Sequence, residues 1–251
     1  MLFVAILLLV FWTILCVGVE RFVPGTTEVD HDIKNRFVSM FHGLASLILS
    51  ASYLWRTGMH FCDESTYEER LIVLFSVTYF VYDFAACLYF GIWDKSLVLH
   101  HFCSIFGFMV AFLSTYGAKC SIYGLFIAET SNFPMHLRVI LRTKGKRHTK
   151  LYEVMESIYL IFYIVFRGLL APFNVYACLS CPKTPVIVTS MCIFLTLQSW
   201  HFISKMFGII KKKGREMQER KSKGLSLWWL EVNPALSSLT YFNKNTNQGI
   251  F

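Results

Sequence analysis

The stretch that decides the fold is WDKSLVLHHFCSIFGFMVAF, residues 93–112, where two adjacent histidines stand at the start of a run that is otherwise apolar. A helix that spans a bilayer needs roughly 20 mostly apolar residues. Residues 96–116 meet that requirement, so the stretch predicts a membrane helix with His100 and His101 near one end. Histidines at that depth need a polar surrounding, which other parts of the chain must supply.

The composition of the whole chain agrees with a membrane protein. Of its 251 residues, 55% are hydrophobic and 16% are charged, whereas about 25% are charged in soluble domains. Six further runs have the length of a span, and the sequence therefore predicts an all-α, polytopic membrane helix bundle of about seven transmembrane helices. The seven predicted spans are residues 2–19, 37–55, 71–92, 96–116, 122–141, 154–177 and 185–209.

The basic residues predict the orientation. They concentrate in segments 142–150 and 211–223, and cytosolic loops carry the excess of Lys and Arg in membrane proteins. This places the N-terminus outside the cytosol and the C-terminus inside it. The first run has no basic residue before it, which favours a membrane anchor over a cleaved signal peptide. The net charge of +8 is then a cytosolic face, and no nucleic-acid motif accompanies it.

Polar residues within the spans predict a cavity. Ionisable groups at membrane depth face a protein interior or a wet cavity, and on the fifth span Glu129, Asn132 and His136 share one helix face at i, i+3 and i+7. Pro134 is expected to kink that span beside Glu129. Tyr79 and Asp83, at i and i+4 on the third span, are expected to make a similar pair. In the alternative, purely structural interpretation, Arg167 pairs with Glu129 or Asp83, and Arg138 reaches the interface. The polar set is His42, Asp83, His100, His101, Glu129, Asn132, His136, Arg138, Arg167, Asn174, Gln198 and His201.

The histidines do not predict a metal centre. The chain has eight histidines and one adjacent pair, fewer than a diiron or zinc enzyme of the membrane needs, so we expect no metal and no cofactor. A neutral imidazole can instead take a proton from an amine or hydroxyl nucleophile, or be acylated itself. These residue types therefore suit acyl transfer.

Four cysteines fall on the predicted outer side, where an oxidising compartment would let them pair. Three connectivities remain open for them. For the motif CLSC a structural disulfide or free thiols are favoured over zinc or redox chemistry. The four are Cys62, Cys120, Cys178 and Cys181.

Two segments resemble a known family. LVLHHFCSIFGF, residues 97–108, and AETSNFPMHLRVILR, residues 128–142, are similar to the TLC domain shared by ceramide synthases and translocation-associated membrane proteins. The resemblance covers residues 30–213. It implies six spans around a cavity open to the cytosol, an N-terminal anchor and short loop over 1–29, and a cytosolic tail over 214–251.

The resemblance also implies roles for the paired histidines. In the ceramide synthases two histidines serve acyl transfer from acyl-CoA to a sphingoid amine, and by position these are His100 and His101. This chain has Ala128, Glu129 and Asn132 where those enzymes have His, Asp and a second Asp. One acid is kept, and the neighbouring histidine and the second acid are absent.

Three functions agree with these features of the sequence. The favoured one is a lipid-binding protein of the endoplasmic reticulum or plasma membrane that contributes to lipid homeostasis; its ligand is a sphingolipid, a phospholipid or an acyl-CoA, and the expected contacts are His42, Asn132, His136, Arg167 and Trp200. The first alternative is an acyl-CoA-dependent lipid acyltransferase with His100, His101, Glu129 and Asp83 as catalytic residues. The second alternative is a cargo receptor or assembly partner of the secretory pathway.

Overall fold

The computed structural model describes residues 1–242, and within that range every regular element is a helix. The all-α prediction is confirmed. The elements are α1 Leu2–Phe22, α2 Glu28–Thr57, α3 Tyr67–Tyr89, α4 Lys95–Leu113, α5 Ala118–Glu129, α6 Asn132–Thr143, α7 Lys150–Phe162, a π-helix Tyr163–Leu170, α8 Ala171–Ser180, α9 Val186–Ser222 and a 3-10 turn Pro234–Ser238.

Six helices of the described chain are long and apolar enough to cross a membrane: α1, α2, α3, α4, the continuous helix Lys150–Ser180 and α9. The fifth predicted span, 122–141, is not one helix, which corrects that part of the prediction. Thr130 and Ser131 separate α5 from α6, and Pro134 is the third residue of α6. Pro134 has no N–H to continue the helical bonding to the carbonyl of Thr130. The two twelve-residue helices lie in series and together measure about 36 Å at 1.5 Å per residue, which is enough to cross a bilayer core.

Local signals fix where the helices begin. Thr27 and Asp30 form a capping box at the start of α2, and Thr66 and Glu69 form another at the start of α3. Asp94 accepts hydrogen bonds from two backbone amides in the first turn of α4. Each of these side chains satisfies amide groups that a helix leaves unpaired at its N-terminus. The Asp94 cap therefore fixes where α4 begins, and with it the positions of the two histidines along that helix.

The helices surround a central space. Neighbouring pairs in the ring are α2 with α3, α3 with α4, α4 with α9, α9 with α8 and the π-helix, α6 with α7, and α2 with α5 and α6. Helix α1 stands outside the ring and packs on α2 and α3 through Trp12, which is fully buried and donates from its indole nitrogen to Thr78 Oγ1 at 3.3 Å. The extra N-terminal helix thus contributes to packing and lines no part of the central space in the described structure.

A disulfide between Cys62 and Cys181 joins the loop after α2 to the end of α8. This selects one pairing among the open connectivities and leaves Cys120 and Cys178 as buried free thiols. We call the end of the bundle with loops 58–66, 114–117 and 181–185 the disulfide end. The opposite end, with loops 23–27, 90–94 and 144–149, is the mouth end.

Residues 223–242 fold back over the mouth end. The carbonyls of Trp228 and Trp229 accept hydrogen bonds from the amides of Lys150 and Leu151 at 2.7 and 3.2 Å, so this segment caps the start of α7. Leu236 and Leu239 of the same segment are buried, which anchors it further. Helix α9 runs without a break to Ser222, so the predicted boundary at residue 214 lies inside a helix. Of the predicted tail, residues 243–251 lie outside the described residues.

Candidate functional site

A cavity of about 1220 Å³ runs between the helices from the mouth end toward the disulfide end. This volume exceeds the range of about 300–1,000 Å³ that is usual for sites of drug-sized molecules. The cavity has three zones along its length. The mouth is lined by charged and loop residues, the middle by the polar side chains of the spans, and the far part mainly by apolar side chains such as Phe108, Leu125, Ile127, Val188, Met191 and Leu195.

His101 and Asp83 form a buried pair between α4 and α3. His101 Nε2 lies 2.6 Å from Asp83 Oδ2, and His101 Nδ1 lies 2.9 Å from the carbonyl oxygen of Leu97. A carbonyl can only accept, so Nδ1 carries a hydrogen and donates to it. The short contact on the other side therefore needs a second proton between Nε2 and Oδ2. His101 has no free nitrogen left to act as a base.

Asp83 is held from α2 as well. Asn35 donates from Nδ2 to Asp83 Oδ1 at 2.6 Å, and Tyr82 donates to Asn35 Oδ1 at 3.3 Å. All of these groups are buried. Sequence reasoning missed Asn35, although a signal was present: Asn35, Ser39, His42 and Ser46 follow i, i+4, i+7 and i+11, which is a polar stripe along one face of a membrane helix.

His100 has different neighbours. Its Nδ1 lies 3.3 Å from Gln198 Oε1, while the amide nitrogen of Gln198 donates to the Ser96 carbonyl and to Ser96 Oγ. This network assigns the amide oxygen to the histidine side, so Nδ1 donates and Nε2 keeps its lone pair. Among residues 1–242 no group hydrogen-bonds to that lone pair, and the atom is open to the cavity.

Helix α2 contributes His42 to the middle zone. Its Nε2 lies 2.9 Å from Ser46 Oγ and 3.2 Å from Ser76 Oγ, and its ring stacks on Tyr79 with centroids 3.7 Å apart. Its other nitrogen lies 3.9 Å from Glu129 Oε1. Tyr79 donates to Ser39 rather than to Asp83, its expected neighbour on α3. His42 is thus fixed on both sides of its ring.

The broken fifth span brings its polar face to the cavity. Asn132 donates from Nδ2 to Glu129 Oε2 at 2.7 Å, across the gap between α5 and α6. His136, one turn beyond, accepts at Nδ1 from Arg36 at 3.4 Å. The predicted sharing of one face by these three residues is therefore seen in the structure. Glu129 and Asn132 lie on either side of the break between α5 and α6.

Arg167 lies on the π-helix within the sixth span. It donates from Nε to Ser131 Oγ at 3.2 Å and from one Nη to both the Ala128 carbonyl and Asn132 Oδ1 at 2.8 Å. Its guanidinium also lies 5.0 Å from the Tyr163 ring centroid. A direct pair with Glu129 or Asp83 was one expectation, and the described structure has neither ion pair within 4.0 Å. The amide of Asn132 stands between the two charges instead.

The structure also locates three further predicted residues, Arg138, Trp200 and His201. Arg138 is buried, pairs with Glu156 at 3.4 Å and lies over the Tyr159 ring, so the alternative that it reaches the interface is wrong. Trp200 does not line the cavity: its side chain is 48% exposed and its indole donates to the Gly168 carbonyl. His201 is also exposed on α9. All the other predicted site residues line the same cavity, namely His42, Asp83, His100, His101, Glu129, Asn132, His136 and Arg167.

Within the part of the chain that the structure describes, no three His, Cys, Asp or Glu side chains are grouped to hold a metal ion.

Comparison with known proteins points to one family. The family model for the TLC domain matches residues 32–210. A TLC domain-containing protein of Arabidopsis thaliana is 22% identical over 152 residues, a stretch that covers 58% of this chain and 60% of the relative. The chain thus spans less than two thirds of that relative's length.

Proposed function

The chain belongs to the TLC-domain family, and on that premise we propose that its cavity binds a membrane lipid or acyl chain and thereby contributes to membrane lipid composition. The observation that carries this proposal is the order of the three zones along one cavity of about 1220 Å³. Apolar surface toward the disulfide end suits a hydrocarbon chain, and a few convergent polar groups in the middle suit a head group. A lipid has that same order of parts.

We propose in addition that the protein lies in the membrane of the endoplasmic reticulum or in the plasma membrane, and that its mouth end faces the cytosol. The loop 144–149 at that end is rich in Lys and Arg, as cytosolic loops are. The disulfide end would then face an oxidising compartment, where a disulfide persists. Within the family, the order of the segments looks most similar to TLC domain-containing protein 5, also called transmembrane protein 136, and that finer placement stays a prediction.

A second function, acyl transfer, is favoured by the state of His100. Its Nε2 lone pair has no partner in the described chain, while Gln198 holds the opposite nitrogen. As a base, His100 would take the proton of an amine or hydroxyl as that nucleophile bonds to the acyl carbon of a thioester, and would return it to the departing thiolate. The fixed pair of His101 and Asp83 would then orient the site rather than react.

The lipid-binding proposal is tested by filling the cavity. Ser104 is buried on α4 and lines the cavity, whereas Leu99 on the same helix is 45% exposed on the outside. We expect the purified wild type and the control Leu99→Phe to retain a tightly bound lipid, identified by mass spectrometry after extraction. Ser104→Phe is expected to lose most of it.

Equal lipid in all three proteins would contradict the proposal, because the retained lipid would then be lipid from the outer surface. Size-exclusion elution at the wild-type volume shows that the variant is folded. Incubation of the same wild-type sample with palmitoyl-CoA separates the two functions: release of free CoA that requires an amine or hydroxyl acceptor favours the transferase, and bound lipid without any release of CoA favours the binding protein.

A further inference from the structure

The cation of Arg167 is incompletely satisfied by the protein. Its hydrogen-bond partners in the described chain are a hydroxyl, a backbone carbonyl and an amide oxygen, all of them neutral. No carboxylate of residues 1–242 lies within 4.0 Å of its nitrogens. A charge at membrane depth costs several kcal/mol on insertion scales unless another group compensates it. Arg167 therefore has capacity left for an anion.

The spare donors of Arg167 belong to Nη1. Nε and Nη2 make the three hydrogen bonds, and Nη1 makes none to the described chain. Nη1 is also absent from the buried atoms that lack a partner, so it is accessible in the cavity that Arg167 lines. Two N–H groups on this nitrogen are thus available to a ligand.

The nearest acid is kept from pairing with these donors. Asn132 donates to Glu129 with its amide nitrogen and accepts from Arg167 with its amide oxygen, so one side chain connects the two charges without letting them touch. Glu129 is further confined by the short approach of Gly43, where an added Cβ would lie 2.9 Å from Oε2. The guanidinium consequently keeps one edge free.

The π-helix accounts for the position of Arg167. Its residues 163–170 follow the wider i→i+5 bonding, and such segments inside α-helices are frequent at functional sites. On α4, His100 presents an unpaired Nε2 lone pair to the same cavity. The cavity thus offers a charged donor and a neutral acceptor.

From this geometry we infer that the lipid carries an oxyanion, a carboxylate or a phosphate monoester, one oxygen of which is bound by Arg167 Nη1. This inference rests on the proposed lipid binding and names the chemistry of the head group. An oxygen of the group accepts from the guanidinium in a charge-assisted bond, the stronger class of hydrogen bond. A phosphate monoester that retains one proton also has a hydroxyl that a neutral imidazole such as His100 can accept from, whereas a carboxylate at neutral pH has none. A neutral alcohol has no charge to offer Arg167.

The test compares three probes of equal chain length, namely palmitate, hexadecyl phosphate and hexadecanol. Equilibrium binding is measured at neutral pH on full-length wild-type protein in a nonionic detergent. We expect the two anionic probes to bind at least about tenfold more tightly than the alcohol. Arg167→Gln should remove that preference, and Arg167→Lys should keep part of it. The matched control is Arg56→Gln, which removes an exposed cation at the disulfide end and should keep the preference intact.

The outcomes separate the inference from the proposal beneath it. Equal affinity of wild type for palmitate and hexadecanol would overturn the oxyanion inference and leave lipid binding intact, and it does not depend on any variant folding. Inorganic phosphate that competes as well as hexadecyl phosphate would also overturn the inference, because the ligand would be a free anion and not a lipid. Failure of all three probes to bind would overturn the proposed function itself.

Discussion

His100 and His101 are neighbours in the chain, and their side chains leave α4 about 100° apart. That angle gives them different surroundings. His101 has both nitrogens engaged, by Leu97 and Asp83, whereas His100 has one nitrogen engaged by Gln198 and one that is free. Because a reacting base needs an available lone pair, the two histidines have separate tasks. One fixes the contact between α3 and α4, and the other faces the cavity.

Substitution of Asp83 should reveal the structural task. Asp83→Leu leaves donors of Asn35 and His101 buried without acceptors, and breaking a buried pair of this kind costs about 3–5 kcal/mol. Asp83→Asn keeps an acceptor for Asn35 and offers a donor to neutral His101, so we expect a loss of only about 1 kcal/mol. Thermal unfolding of the detergent-solubilised protein should rank wild type above Asn above Leu. An unchanged midpoint for Asp83→Leu would contradict the buried pair.

At the scale of the elements, residues 223–242, which follow α9, pack against a histidine in the loop before α7. The ring of His148 lies 5.0 Å from the ring of Phe242 and 5.7 Å from that of Tyr241. Both His148 and Phe242 line the mouth of the cavity. Burial, together with the positive charges of Arg147 and Arg220, lowers the pKa of His148 to about 4. Packing of residues 223–242 against His148 therefore favours the neutral imidazole.

The pH dependence of this contact follows from that shift. An unfolded or released His148 takes up a proton near its ordinary pKa of about 6.5, but the packed one does so only near 4. Stability of the packed segment is therefore complete above about 6.5 and decreases as the pH falls toward 4. We expect limited proteolysis of residues 225–242 to accelerate over that window in wild type and to stay constant in His148→Phe. Equal acceleration in both proteins would assign the effect to another group.

How far these elements could be predicted depends on what kind of contact forms them. Hydropathy predicts the spans because a span needs only length and apolarity, and Pro134 marks the break in the fifth one by chemistry local to the chain. The π-helix was not predicted, since the residues around Arg167 keep an ordinary helical pattern. Partners across helices were predicted less well. Arg167 was expected beside Glu129 or Asp83 and instead meets Asn132, because such pairs depend on how each helix is rotated in the bundle.

At the scale of the whole molecule, the disulfide and the mouth lie at opposite ends of one bundle. If the mouth faces the cytosol, Cys62 and Cys181 lie where disulfides form and persist. The free thiols Cys120 and Cys178 lie near the same end but are buried. The redox state of Cys62 and Cys181 therefore reports which side of the membrane the disulfide end occupies, and the buried thiols serve as an internal control.

Mapping the thiols in intact cells tests this orientation. We expect Cys62 and Cys181 to resist alkylation until a reductant is added, and to appear as one cross-linked peptide under non-reducing conditions. Cys120 and Cys178 should be alkylated after denaturation alone. Ready alkylation of Cys62 and Cys181 without a reductant would contradict the proposed orientation, because the disulfide end would then lie in the reducing cytosol.

The bond between Cys62 and Cys181 also changes the covalent topology of the chain. The two cysteines are 119 residues apart in the sequence, and their bond closes a covalent ring that contains α3 to α8. This ring includes most of the residues that line the cavity. A protease that cuts once in the mouth loop 144–149 opens this ring without dividing the molecule. The two pieces stay joined through sulfur and run together on a non-reducing gel. A protein nicked there keeps all its helices on one covalent framework until the disulfide is reduced.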